Sequence, residues 1–473
     1  METHEYAGHD GVGLRDLIRS GEVSAAEVET AARHALQQVN ADVNGLTRPP
    51  FDPALSHDPD GPFGGVPFLI KDSQPFARNV PFAIGSRAIR GAVAWVDHEL
   101  MARFRAAGLV TIGQTTSPEM ALSFATESVR FGITRNPWAL DRGVGGSSGG
   151  SAALVAAGAA PMAHANDGAG STRVPASCCG LVGLKPSRGR VPCGPLIGEA
   201  AFGQSYEFAV TRTVRDTAHL LDAVGAPPLG EKYAAPPPSR PYAAELGARP
   251  ERLRVAFTTT PWSGVPVDPQ VTAAALNAAK TLEWIGHTVT EASPPIDADA
   301  VIEAMMLGAL AAGAALLRAP RRPDPDLLEA VTRLLTGETE AATLLDVMAM
   351  TDAQHQVTRA AALFFTDHDL LVTPTLGQLP PPHGTLDYDS PRHASFRGWL
   401  RHIFTYGPFT APFNVSGNPA ISLPLGQSRE GLPIGVQLVA APAREDLLLR
   451  VAAQLEQALP WHDRRPPIYA GLP

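Results

Sequence analysis

A chain of 473 residues, 44% hydrophobic and 18% charged, has the composition of a folded globular protein and excludes disorder. Its net charge of −9 supplies no basic field for nucleic acid and is a weak argument against strongly acidic substrates. Three cysteines (Cys178, Cys179 and Cys193) make no disulfide framework, and no Cys or His spacing suits a metal, so a reducing compartment and no metal are expected.

The opening METHEYAGHD is polar and lacks the apolar segment of a secretion signal, which predicts a cytoplasmic protein. Leu14 to Val39 reads as helical, with Leu14, Leu17 and Ile18 on one face and a new helix starting at the Ser24–Glu27 capping-box spacing. Val66 to Ile70 predicts a strand, His98 to Ala107 a helix stopped by Gly108, and Leu109 to Ile112 a second strand. Residues 136–142 do not read as a strand, and Ser151 to Ala160 reads as an Ala-rich helix. Residues 225–250 are dense in Pro, Gly and Ala and predict a long surface connection. Strand, helix and a mostly helical stretch follow at Leu253–Phe257, Val271–Gly286 and Val301–Phe365. The apolar run Ala304–Leu317 falls short of the ~20 residues of a membrane span and predicts a buried or pocket-lining helix. Leu370–Thr373 is a strand candidate, Pro419–Leu425 and Ile434–Val439 are paired strands, and Glu445–Gln457 is a last helix. The alternation predicts an α/β layer structure without internal repeats.

Three segments carry the chemistry. Gly143–Ser151 (GVGGSSGGS) runs straight into a helix, unlike a flexible linker, and lacks both the Walker ending and the Rossmann glycine spacing. It matches G-x-S-x-G twice, around Ser147 and around Ser148, but without the preceding strand that a nucleophile elbow needs. Asp167-Gly168-Ala169-Gly170-Ser171-Thr172-Arg173 places small residues before a serine, so that successive N–H groups can line an oxyanion hole; the competing reading is a tight turn with a solvated serine. Lys71 ends the apolar run that begins at Val66. It is either solvated or, if buried, a base whose pKa falls toward neutrality. His164 is the histidine nearest Ser171 in sequence and reads as a core residue.

Together these segments resemble the amidase signature family. Lys71 fits its G-x-P-x-x-x-K-D/E strand, Ser147 its GGSSGG loop, and Ser171 its D-x-G-G-S-x-R-x-P run, 24 positions after Ser147. Asn136-Pro137-Trp138, Cys179–Ser187, Phe413–Ala420 and Gly431–Gln437 are also family-like, so the resemblance spans most of the chain. It departs at Ala169, where the family has glycine.

The resemblance implies a three-layer α/β/α fold with a mixed central sheet covered by helices, as a single domain over residues 1–473. Within it, residues 1–60 form a helical region, 61–225 the catalytic core, 226–252 the connection, and 253–473 the rest of the sheet with pocket-forming helices. It implies Lys71 as base, Ser147 as proton shuttle and Ser171 as nucleophile, with the N–H groups of Gly168, Ala169, Gly170 and Ser171 as oxyanion hole. Ser148, Asp167 and Arg173 are structural supports, the Gly146–Ser147 peptide is cis, and no cofactor is implied. The pocket walls are expected near Glu119–Phe124, Leu196–Tyr206 and Met305–Tyr406. They offer Met120, Leu122, Phe124, Leu196, Ile197, Phe202, Met305, Met306 and Leu307, a lining for apolar or aryl groups that core packing would explain equally well. The expected activity is that of the family's aryl-acylamide, cyclic-amide and carbamate (urethane) hydrolases, with esters as further substrates. A tRNA-directed glutamine amidotransferase subunit and a non-catalytic binding subunit are the alternatives. The expected partner is a small molecule, with no nucleic acid and no membrane, and the protein a monomer or homodimer.

Overall fold

A computed structural model describes residues 1–226, 230–248 and 251–472. Ten strands make one sheet: β1 (Pro67–Lys71), β2 (Val110–Thr115), β3 (Met162–Asp167), β4 (Val182–Lys185), β5 (Tyr206–Thr211), β6 (Arg254–Phe257), β7 (Thr288–Glu291), β8 (Leu370–Pro374), β9 (Ala420–Gln427) and β10 (Pro433–Ala440). Their spatial order is β7-β6-β8-β10-β9-β4-β5-β3-β1-β2. β1 runs parallel to β2 and β3, and β6 parallel to β7 and β8, while the pairings between β3 and β8 across the middle are antiparallel. Every residue of β1, β3 and β10 is buried, although alternate side chains point to opposite faces. Helices therefore cover both faces, which is the expected three-layer arrangement.

Local signals explain the elements that the sequence predicts. Ser24 and Glu27 form the reciprocal capping box, with Ser24 Oγ accepting from the Glu27 N–H and Glu27 accepting from the Ser24 N–H. The preceding helix, Gly11–Ser20, ends where Gly21 turns left-handed at φ 76°. His98 caps the Glu99–Ala106 helix by accepting from the Leu100 N–H at 3.1 Å.

Four expectations change. Ala139–Gly143 is a strand, but it pairs only with Arg135–Asn136 in a separate two-stranded sheet, so the serine loop still does not follow a strand of the main sheet. β3, β4, β5 and β7 form where no strand was predicted. β3 reads MAHAND, whose small and polar side chains give no apolar period. The apolar run is part of a 20-residue helix, Ala298–Leu317, long and apolar enough by length and composition to cross a membrane; most of it is buried. Finally, the 226–252 connection is anchored as well as superficial. Tyr242 and Glu245 are buried, and Glu245 pairs with Arg240 and Arg450. Residues 227–229 and 249–250 of that connection lie outside the described residues.

Parallel β1 and adjacent β3 finish at the same edge, at Lys71 and Asp167. The serine loop and the glycine turn extend from that edge, where open α/β sheets place ligands.

Candidate active site

Lys71 is 1% exposed, so the solvated reading falls away. Its Nζ lies within hydrogen-bond distance of Asn166 Oδ1 at 2.6 Å, Ser147 Oγ at 2.7 Å and Ser148 Oγ at 3.0 Å. Burial lowers its pKa to about 7, against the opposing pull of the Glu207, Asp167 and Asp72 carboxylates. Asp72 is itself held by the N–H groups of Ala83 and Gly85.

Ser147 follows a cis peptide bond with Gly146. A Cβ on Gly146 would meet the main chain of Ser123 and Phe124 within 3.0 Å, so this loop lies flush against the first expected pocket wall. Ser148 precedes the Gly149–Ala156 helix without capping it. Its hydroxyl instead accepts from Lys71 and donates to the Asn166 carbonyl at 3.3 Å. Asn166 was not singled out in the sequence. Its Nδ2 donates to Ser73 Oγ at 3.2 Å, which turns its Oδ1 toward the lysine.

Ser171 opens the turn into the short helix Arg173–Cys179 and is 6% exposed. Its main-chain carbonyl accepts from the Ser148 N–H at 3.3 Å, which ties it to the serine loop next to Ser147. Among the described residues, none of the N–H groups of Gly168, Ala169, Gly170 and Ser171 donates to a protein acceptor. Gly170 has φ 143°, and a Cβ there would meet Thr410 Oγ1 at 2.4 Å, so only glycine fits. Ala169 is accommodated: its methyl packs on the core and its carbonyl accepts from Thr410 Oγ1 at 2.6 Å.

The turn is braced from below. Arg173 Nε and Nη2 each donate to the Asp167 carboxylate at 2.9 Å, with both side chains buried. Burial alone would raise the Asp167 pKa, but the Arg173 guanidinium and Asn414 bring it down to about 2. Arg173 also donates to the Thr410 carbonyl, Gln437 Oε1 and Asn414 Oδ1. Thr410, Asn414 and Gln437 lie more than 230 positions along the chain from Arg173, and only the "Phe413–Ala420" and "Gly431–Gln437" resemblances pointed to their neighbourhood.

The three pocket walls converge. Phe124 lies beside Phe404, the rings tilted at a 6.0 Å centroid distance, and Trp399 Nε1 donates to the Leu122 carbonyl. Gln204 Nε2 donates to the Ala304 carbonyl beside Met305. The individual side chains differ: Phe124, Met305, Met306 and Leu307 are buried, Met120, Leu122 and Ile197 are half-buried, and Leu196 and Phe202 are exposed. Met120 and Phe202 occupy left-handed turns, with φ 54° and 53°. The three cysteines are unpaired. Among the described residues no group of His, Cys, Asp and Glu is arranged to hold a metal.

Comparison with known proteins bears on this constellation. A family model described as Amidase matches residues 49–449. The chain is 39% identical over 483 aligned positions to the 6-aminohexanoate-cyclic-dimer hydrolase of Paenarthrobacter ureafaciens, across 97% of this chain and 96% of that protein. Its fold superposes on a solved 6-aminohexanoate cyclic dimer hydrolase with a TM-score of 0.90 at 38% identity, covering 98% and 99% of the two chains. A bacterial aryl acylamidase gives a TM-score of 0.86 at 25% identity, with the same coverage.

Proposed function

The chain belongs to the amidase signature family of amide C–N hydrolases, and from that premise we propose that it cleaves small neutral amides through an acyl-enzyme on Ser171. The observation that carries this reading is Lys71, buried and in hydrogen-bond contact with Ser147. A neutral amine has two N–H donors and one lone pair. Asn166 Oδ1 is an acceptor, and the Ser148 hydroxyl already donates to the Asn166 carbonyl, so these two take the N–H groups. The lone pair is left for the Ser147 O–H.

The proton of Ser171 then passes to Ser147 as that of Ser147 passes to Lys71, and Ser171 Oγ attacks the acyl carbon. The unpaired N–H groups of residues 168–171 receive the oxyanion; one such donor is worth about 3 kcal/mol. The C–N bond breaks as Ser147 returns a proton to the leaving nitrogen, with Lys71 reprotonating Ser147. Water, deprotonated by the same route, releases the acid and Ser171.

Kinship favours cyclic and linear amides of aliphatic ω-amino acids as the first substrates, and the aromatic and aliphatic walls extend the reading to anilides. Esters of the same acids use the same acyl-enzyme, and carbamates leave an alkoxycarbonyl group on the same serine, which water releases as a carbonate monoester. The net charge of −9 gives a tRNA-directed reading no support.

The test is product release from three substrates: the cyclic dimer of 6-aminohexanoate, an acyl 4-nitroanilide, and the matching alkyl 4-nitrophenylcarbamate. Ser171→Ala serves as the blank. Amide turnover by the wild type alone supports the reading. Absence of any turnover, or equal turnover by the variant, overturns it.

A further inference from the structure

A second set of buried polar groups lies one residue pair beyond the lysine. Asn166, the shortest contact of Lys71, stands directly opposite Glu207 in the antiparallel β3–β5 ladder. Directly opposed residues share a face of the sheet with Cβ atoms about 5 Å apart. His164, two positions before Asn166, shares that face, and its Nε2 lies 2.7 Å from Glu207 Oε2. His164 and Glu207 are both buried, and burial lowers the imidazole pKa against the pull of Glu207. The ring nitrogen and the carboxylate are thus within hydrogen-bond distance, on the face of the sheet that carries Asn166.

Nothing in the acylation sequence uses this pair. Among the described residues Glu207 Oε1, His164 Nδ1 and the nearby His98 Nε2 are buried without hydrogen-bond partners. A buried carboxylate left half-satisfied costs stability that an apolar pair would not.

The other charges around the lysine are spoken for. Asp167 is neutralised by Arg173, and Asp72 is held by two main-chain N–H groups. Glu99, which like Glu207 acts on His98, pairs with Arg103 at the start of the Glu99–Ala106 helix. Cys193 and Glu231 border the same cleft, and Glu231 is occupied by the N–H groups of Cys193 and Gly194. Of the three carboxylates that act on Lys71, Glu207 is thus the one with neither an Arg or Lys partner nor a main-chain cradle among the described residues. It also exerts the largest charge effect on the lysine, ahead of Asp167 and Asp72.

We propose that Glu207, held by His164, is a positioning residue for Lys71, steadying the positive charge that the lysine acquires when it takes the Ser147 proton. The proposal rests on Lys71 being the base.

The test is the pH dependence of kcat/KM on an amide substrate for the wild type, Glu207→Gln, Glu207→Asp and Lys71→Ala, with thermal melts alongside. Removing the charge makes Lys71 a weaker base. The acid limb of Glu207→Gln is expected to move down by on the order of one pH unit, and its plateau to fall several-fold. Glu207→Asp, which retracts the same charge by one methylene, moves the limb the same way by less; it carries the test if Glu207→Gln does not fold. An acid limb that stays at the wild-type pH in the folded variants overturns the proposal. An active Lys71→Ala would instead overturn the underlying assignment of the base.

Discussion

The shortest hydrogen bond of Lys71 runs to Asn166, at 2.6 Å, and not to either serine. Asn166 is fixed in turn by its amide contact to Ser73, so the orientation of the lysine is set from the β3 strand. The amide decides which way the lone pair of the amine faces.

Asn166→Ala is accordingly expected to lower kcat by about 10- to 100-fold with KM nearly unchanged, since the group contacts the base and not the substrate. Asn166→Asp places a negative charge against Lys71 and moves the acid limb of the pH profile upward. Steady-state kinetics across pH reads both outcomes.

The lysine also links activity to stability. It acts as the neutral amine, so kcat/KM should rise with pH through about 7 and level off above it. Unfolded, the same lysine holds its proton up to about 10.5. Between these two values the unfolded chain binds the extra proton, so the lysine's contribution to folding stability improves as pH rises and is least favourable below 7. Denaturant midpoints of the wild type and Lys71→Met, compared at pH 7 and pH 10, should shift in favour of the wild type at the higher pH.

The Asp167–Arg173 pair is buried on both sides. Arg173→Met strands the carboxylate and is expected to cost about 3–5 kcal/mol in chemical denaturation. Adding Asp167→Asn removes the stranded charge and should return part of that loss, while activity stays low because the turn carrying Ser171 has lost its brace.

Two glycines flanking Ala169 should behave oppositely. Gly170→Ala meets Thr410 at 2.4 Å and a left-handed φ, and is expected to lower activity more than 100-fold or prevent folding. A Cβ on Gly168 meets nothing within 4 Å, so Gly168→Ala should fold with a melting temperature close to that of the wild type. Thermal melts and turnover of the two variants, side by side, check this.

Much of this site is legible in the sequence because its chemistry is local. Lys71 closes an apolar strand, Ser147 and Ser171 sit in glycine-dense turns, and Asp167 and Arg173 flank the second of them. What escapes is whatever depends on pairing across the sheet. β3 carries His164 between Ala163 and Ala165 and ends on Asn166 and Asp167, so it shows no apolar alternation. Glu207 meets Asn166 only through the β3–β5 register. Arg173 finds Thr410, Asn414 and Gln437 because the chain returns to the sheet through β9 and β10, a topology that composition does not encode. The positions of the pocket walls follow from resemblance alone. Their neighbourhoods meet in the fold, while Leu196 and Phe202 face outward.

The central claim is that Ser171 carries the acyl group. Its most direct test is to mix the enzyme with an activated 4-nitrophenyl ester, quench within the first turnover, and map the acylated peptide by mass spectrometry. The account predicts one acyl group on Ser171 in the wild type, slower acylation of the same residue in Ser147→Ala, and no adduct in Ser171→Ala. An adduct on Ser147, Ser148 or another residue of the wild type, or undiminished acylation of Ser171→Ala, would contradict it.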